Sequence, residues 1–274
     1  MLLEKNKDLW NNNFYLKSSF FNFCESFHHE FKKFNNWPTL IELSNILSSY
    51  KIYTHSLKKL IPCAQEVFDE EYSTLGYEDI IYEKGLIPTR ENNWHDFFNI
   101  LSWLTFPKSK SLLNDWQYSE NQNKSGKNRT PLQNIITHFD ECGMIILTDK
   151  PKLLELIYKH QWEEFFCQNK SLLESNIKFL TIGHSVSERL LSPYIGLTTK
   201  CLMFVVESDE LACPNNQLVS LADDLCSKYL ELNKNNLNTK SLQPFPMLGV
   251  TEIIKNNNFQ YIQNQQYFRP KVNN

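Results

Sequence analysis

The chain has 274 residues, a formal net charge of −3, and 41% hydrophobic and 14% aromatic residues. That apolar share can build a packed core and excludes a disordered chain, and the near-neutral charge excludes a dedicated nucleic-acid binder. Only 7 glycines argue against a turn-rich barrel or propeller, and no apolar run approaches the ~18 residues of a membrane span.

The seven cysteines, Cys24, Cys63, Cys142, Cys167, Cys201, Cys213 and Cys226, are odd in number and include no CxxC pair. The opening MLLEKNKDLW turns charged at once instead of forming a secretory signal. Reduced, mostly buried thiols and a cytoplasmic location are the expectation.

Residues 1–72 read as a helical subregion. Phe20, Phe23, Phe27, Phe31 and Phe34 recur every three or four positions, the stripe of one amphipathic helix. Pro38 stops it, because the residue before a proline is pushed out of the α region. Thr39 then caps a second helix, with Glu42 completing a capping box. Glu66, Asp69, Glu70, Glu71, Glu78, Asp79 and Glu83 form an acidic run without Lys or Arg, read as a solvated surface.

Gly85 to Thr89 reads as a turn or extended link. Asn92 or Asn93 starts the helix WHDFFNILSWLTF, which stops at Pro107. Lys108, Lys110, Lys124, Lys127 and Arg129 outnumber Asp115 and Glu120, a second solvated surface. Residues 117–131 are polar and aperiodic and read as a mobile loop, of the kind that often borders a site. IITHFD and MIILTD read as two strands of a hairpin turning at Glu141-Cys142-Gly143, which packs His138 on a strand. Lys152 to Gln168 reads as a helix, IKFLTIG as a strand, SVSERLL as a helix and CLMFVVE as a strand. NQLVSLADDLCSKYLEL is a long amphipathic helix, and the tail from Pro244 reads as largely extended. The expected fold is α+β, a single domain over 1–274, with a helical N-terminal half packed on a small mixed sheet with helices.

Arg90 to Asn99 is the most informative stretch. Asp96 sits in the first turn of its helix, where an acid suits the positive helix end, so capping alone accounts for it. Capping does not account for His95 and Asn99, which share a face at i and i+4. Arg90 can join them from the incoming turn. In GHSVSERLL, His184 and Glu188 form an HxxxE string that suits a metal site or an acid–base pair. The competing reading makes Ser185 and Glu188 a capping box and leaves His184 at the end of a strand, where sites in open sheets collect. Asp140 and Glu141 at the hairpin turn are solvated acids or an acid–base or metal pair. Arg269 binds an anion or stacks on nearby aromatics. His28 and His29 are adjacent, face different directions and make no metal pair by themselves. The Walker loop, GxGxxG, GxSxG and HExxH are absent.

The strings YEDIIYEKGLIPTRENNWHDFFNILSWLTFPKSKSLLN, ITHFDECGMII, QWEEFFCQNK, GHSVSERLLSP, FPMLGV and YFRP resemble, in order, a proteobacterial family known as domain of unknown function 3025. They span roughly residues 77–270, and NWHDFFN is the most specific of them. The resemblance implies a bacterial intracellular protein and carries no activity, cofactor or catalytic residue.

Two functions follow as expectations. One is a hydrolase or group-transfer enzyme with His95, Asp96 and His184 as catalytic residues, and Arg90, Asn99, Glu188, Asp140 and Arg269 as binding residues. A divalent metal is an open option there. The alternative is a non-enzymatic binding or regulatory module. A small-molecule or protein partner is favoured over nucleic acid, since RNA contact through residues 108–129 would have to weaken steeply with salt.

Overall fold

The structure, a computed structural model, describes residues 9–123, 126 and 128–271. The phenylalanine stripe near the start is wound more tightly than its spacing suggests. It forms 3-10 turns over Phe14–Lys17 and Ser19–Phe27, and only His28–Lys32 (α1) is α-helical. The reason is burial on several sides at once. Phe14, Phe21 and Cys24 are enclosed along with Phe20, Phe23, Phe27 and Phe31, whereas an amphipathic helix buries one stripe. Helix α2 (Leu40–Tyr50) starts at the expected capping box: Thr39 N–H donates to Glu42 Oε2 at 2.8 Å, and Glu42 N–H donates to Thr39 Oγ1 at 3.3 Å.

A parallel strand pair then departs from the helical expectation for residues 1–72. Strand β1 (Ile61–Ala64) lies beside β2 (Leu86–Thr89), joined through α3 (Gln65–Glu71) and α4 (Tyr77–Lys84). Gly85 makes the turn between α4 and β2. Its φ is +73°, and a Cβ there would lie 2.3 Å from the Lys59 carbonyl oxygen.

Helices α5 (Trp94–Thr105) and α6 (Pro107–Asn123) follow, with Pro107 opening the second. Residues 117–123 therefore belong to a helix and not to the expected loop; residues 124, 125 and 127 lie outside the described residues. The end of the helix is hidden because polar Lys110, Asn114 and Gln117 are buried along it beside Leu112, Leu113 and Trp116, which breaks the apolar period. The expected hairpin is also replaced. IITHFD belongs to α7 (Pro131–Cys142), which has a Thr130–Gln133 capping box and Pro131 in its first turn. Leu132, Ile135, Ile136 and Phe139 follow the helical period, and that outweighs the local β-branched character. His138 is consequently exposed on a helix, not packed in a strand.

The sheet has the order β4-β3-β5-β6. Strand β3 (Gly143–Thr148) is buried along its whole length. It pairs antiparallel with β4 (Ile177–Thr181) and parallel with β5 (Thr198–Val205), and β5 pairs antiparallel with β6 (Gln243–Pro246). Helices α8 (Pro151–Tyr158), α9 (Lys170–Asn176), α10 (His184–Arg189), α11 (Ser208–Leu211) and α12 (Asn215–Asn233) complete an α+β fold. Among the described residues of the tail, β6 is extended as expected, while Gly249–Lys255 and Phe259–Gln263 coil into π and 3-10 turns. The seven cysteines are free; Cys24, Cys201 and Cys226 are buried and the other four half-buried. Among the described residues, no helix is long and apolar enough to cross a membrane.

Candidate functional site

Helix α5 has two unlike faces. Trp94, Phe97 and Phe98 are buried against Trp10, Phe14 and Trp37, with ring centroids 4.7–6.4 Å apart across the group. This packing fixes the helix from below. The start of α5 is set by Asn93, whose side chain accepts from Asp96 N–H at 3.1 Å. Asp96 in turn holds the incoming strand. Its carboxylate accepts from Arg90 N–H at 2.7 Å and from Arg90 Nε and Nη2 at 2.9 Å each. This bidentate clamp occupies both Asp96 oxygens.

The opposite face of α5 carries His95 and Asn99. Two glycines bring α10 and the end of α7 to it. Gly183 N–H donates to the Gly143 carbonyl at 2.9 Å, and a Cβ on Gly183 would lie 2.5 Å from Gly143 N. A Cβ on Gly143 would lie 2.2 Å from the Phe139 carbonyl oxygen. No side chain fits at either position, so the backbones touch and the residues beside them, Glu141 and His184, become neighbours.

The rings of His95 and His184 lie 4.5 Å apart between centroids, inclined at 76°. His184 Nε2 is 3.4 Å from Glu141 Oε2, and His95 Nδ1 is 3.3 Å from Glu188 Oε2. His184 Nδ1 is buried without a hydrogen-bond partner; the nearer oxygen of Asp140, at 3.7 Å, is beyond hydrogen-bond reach. Glu188 does not close a capping box, because α10 begins at His184 with Gly183 as its cap residue and Ser185 already lies inside the helix. His184 and Glu188 thus share a helix, and Glu188 serves His95, 93 positions earlier in the chain.

Behind Asp140 sits Lys110, only 3% exposed. Its ammonium donates to Asp140 Oδ1 and, at 3.0 Å, to Asn99 Oδ1, while Asn99 Nδ2 donates to the Tyr77 hydroxyl at 2.8 Å. Beyond it Asn114 Nδ2 donates to Glu78 Oε2 at 2.8 Å. Burial pushes the Glu78 carboxyl up to about 7, with the Asp140 charge adding and Lys110 opposing. The Glu188 hydrogen bond raises His95, against burial. Burial would raise Glu141, but its hydrogen bond to His184 and the nearby cations hold it down at about 2.

These groups adjoin a cleft of about 680 Å³, within the range of small-molecule sites. Its walls are polar. Gln117 Nε2 donates to Thr137 Oγ1 at 2.7 Å and Gln133 Nε2 to Asn121 Oδ1 at 2.8 Å, tying α6 to α7, and Arg90 and Arg129 also line it.

Of the residues singled out in the sequence, Arg90, His95, Asp96, Asn99, Asp140 and His184 line the cleft, and Glu188 contacts it through His95. Arg269 stands elsewhere: its Nε donates to the Gln266 carbonyl at 2.9 Å, and its own carbonyl accepts from Trp162 Nε1 at 2.9 Å. Asp140 and Glu141 lie at the end of helix α7 instead of at the expected hairpin turn. Neither charge run is a uniformly solvated surface. Lys110 is buried, Lys108 pairs with Asp224, and Glu78 is half-buried; Lys124 and Lys127 lie outside the described residues. Lys110 and Glu78, expected on solvated charge runs, belong instead to the buried network behind the cleft. The available signal was the polar series Lys110, Asn114, Gln117, Asn121, which keeps helical spacing.

Fold and site together define an α+β protein with a polar cleft and a cluster of two histidines and a glutamate. The chain belongs to the family described as protein of unknown function (DUF3025), whose sequence model matches residues 64–272. No curated protein and no solved structure matches it.

Proposed function

We propose that the protein is a hydrolase or group-transfer enzyme acting on a polar small molecule, with its reaction centre at His95, His184 and Glu141. One observation carries this reading. The three side chains come from three helices remote in sequence, offer ligand atoms all within 4.8 Å of one another, and border the cleft. Convergence of imidazoles and a carboxylate beside a cavity suits polarisation of water or of a substrate oxygen. In this reading Arg90 and Asp96 hold the cleft's edge. Asp96 is given a positioning role instead of a catalytic one, because both its oxygens accept from Arg90. The near absence of apolar side chains among the cleft residues supports a ligand that hydrogen-bonds on most of its surface.

The test is turnover of chromogenic phosphate esters, carboxyl esters and amides by the full chain, with and without added divalent ions. The expected result is activity in one class that falls at least ~100-fold in His95→Ala, the scale of a lost acid–base group. Arg269→Ala, outside the cleft, should retain it. The second reading, a non-enzymatic binding module, is supported by the cross-linked amide walls, which hold the cleft open as a rigid receptor. It gains if the folded protein turns over none of these classes yet binds a polar ligand in a way that Arg90→Ala weakens.

A further inference from the structure

We infer that His95, His184 and Glu141 hold a divalent transition-metal ion of the zinc type, with Glu188 and Asp140 orienting the two imidazoles. The inference uses the same cluster as the proposed reaction centre but does not require that cluster to be catalytic.

Distance is the first argument. A tetrahedral ion with bonds of ~2.0–2.1 Å holds neighbouring ligand atoms about 3.4 Å apart. His184 Nε2 and Glu141 Oε2 are 3.4 Å apart, and all three candidate ligand atoms lie within 4.8 Å of one another. Small side-chain rotations close the remainder. Two imidazoles and one carboxylate form the three-ligand set that leaves further positions open to water or substrate, and the adjoining cleft supplies the room.

The second argument lies behind the ligands. A metal-bound histidine donates its other ring N–H to a carboxylate or carbonyl, which fixes tautomer and orientation. Glu188 Oε2 stands at His95 Nδ1, leaving Nε2 as the available donor atom. His184 repeats the arrangement with Asp140 on its Nδ1 side and Glu141 on its Nε2 side. His184 Nδ1 is buried and unpartnered at 3.7 Å from Asp140, so a slight ring movement on coordination would close that hydrogen bond. Two backing acids on two converging imidazoles exceed what a simple ion-pair network requires.

Charge is the third argument. Glu141, Glu188 and Asp140 surround the imidazoles, and Lys110 is the cation bonded to Asp140. Arg90 and Asp96 cancel one another. Coordination requires neutral rings, and three carboxylates against one ammonium then leave two negative charges, which a divalent ion balances in place of the two imidazolium protons.

The experiment is calorimetric titration of the chelator-treated, full-length protein with Zn²⁺, paralleled by Co²⁺ absorption. One ion per chain is expected, with cobalt bands of a nitrogen–oxygen site. Glu141→Gln and His95→Gln, at half-buried positions where folding is easily verified by circular dichroism, should abolish the bands. Glu188→Gln should weaken binding ~10–100-fold while keeping their shape. A folded wild-type protein that takes up neither ion, or binding unchanged in Glu141→Gln and His95→Gln, overturns the metal centre and leaves an ion-pair cluster only. Binding unchanged in Glu188→Gln alone overturns its orienting role. Turnover by a chelator-treated protein that also takes up neither ion would sink this inference without touching the proposed enzyme. Metal binding without turnover in any class would do the reverse.

Discussion

Helix α5 separates two regions built on opposite principles. Below it Trp94, Phe97 and Phe98 join rings from the first forty residues in a layer held by area and shape. Above it His95, Asn99, Lys110, Asp140 and His184 form a layer in which each polar group depends on a particular partner. The lower layer tolerates small shifts, because dispersion and burial are non-directional. The upper layer does not, because a half-satisfied polar network is worse than none. The contrast sets a layer held by apolar packing against a layer held by directional polar contacts, on the two faces of one helix. It also ties the helical start of the chain, outside the family match over 64–272, to the centre of that match.

The contrast can be broken from either side. The largest loss should follow Phe98→Ala, which empties a fully buried ring site and should cost about 3–5 kcal/mol, read as a lower urea midpoint at unchanged slope. Lys110→Met keeps much of the stem volume but strands Asp140 without its cation. We expect roughly 3 kcal/mol of destabilisation, and Lys110→Met with Asp140→Asn should recover part of it; simple additivity of the two would refute the coupling. A smaller effect concerns pH. Glu78 is raised in the fold from an ordinary 4.5 to about 7. The folded state thus favours its protonated form, so its contribution is full below about pH 4.5 and is lost as pH rises through about 7. Glu78→Gln should flatten that part of the stability profile; an unchanged profile would show that Glu78 is not its source.

Legibility in the sequence followed the same division. Elements whose burial is apolar and periodic were readable: α2 with its capping box, α5, β3, β4, β5 and α12. Segments whose inward face is polar were not. The end of α6 looks like a loop because Gln117 and Asn121 do the inward packing that hydrophobic residues usually do. α7 looks like a strand because Ile135, Ile136 and Phe139 are close together and β-prone, while the Thr130–Gln133 cap lies upstream of them. In the cleft, residue types chosen for convergent chemistry pointed to His95 and His184. Lys110 and Glu78 escaped because a charge in a run looks solvated until a fold encloses it. Glu141 is expected at a hairpin turn, as a solvated acid or as half of an acid–base or metal pair with Asp140. Its neighbour across the cluster is set by Gly143 and Gly183, a contact between distant backbones that no local pattern encodes.

That glycine contact also bears on time. It exists only once β3 and β4 are paired, since the Gly143 carbonyl receives the N–H groups of Ile182 and Gly183 at the end of that ladder. A ribosome-bound chain that has emerged only as far as α7 carries His95 and Glu141 without their third member. The three-residue cluster therefore cannot close before β4 and α10 have been made, however well the earlier helices have formed.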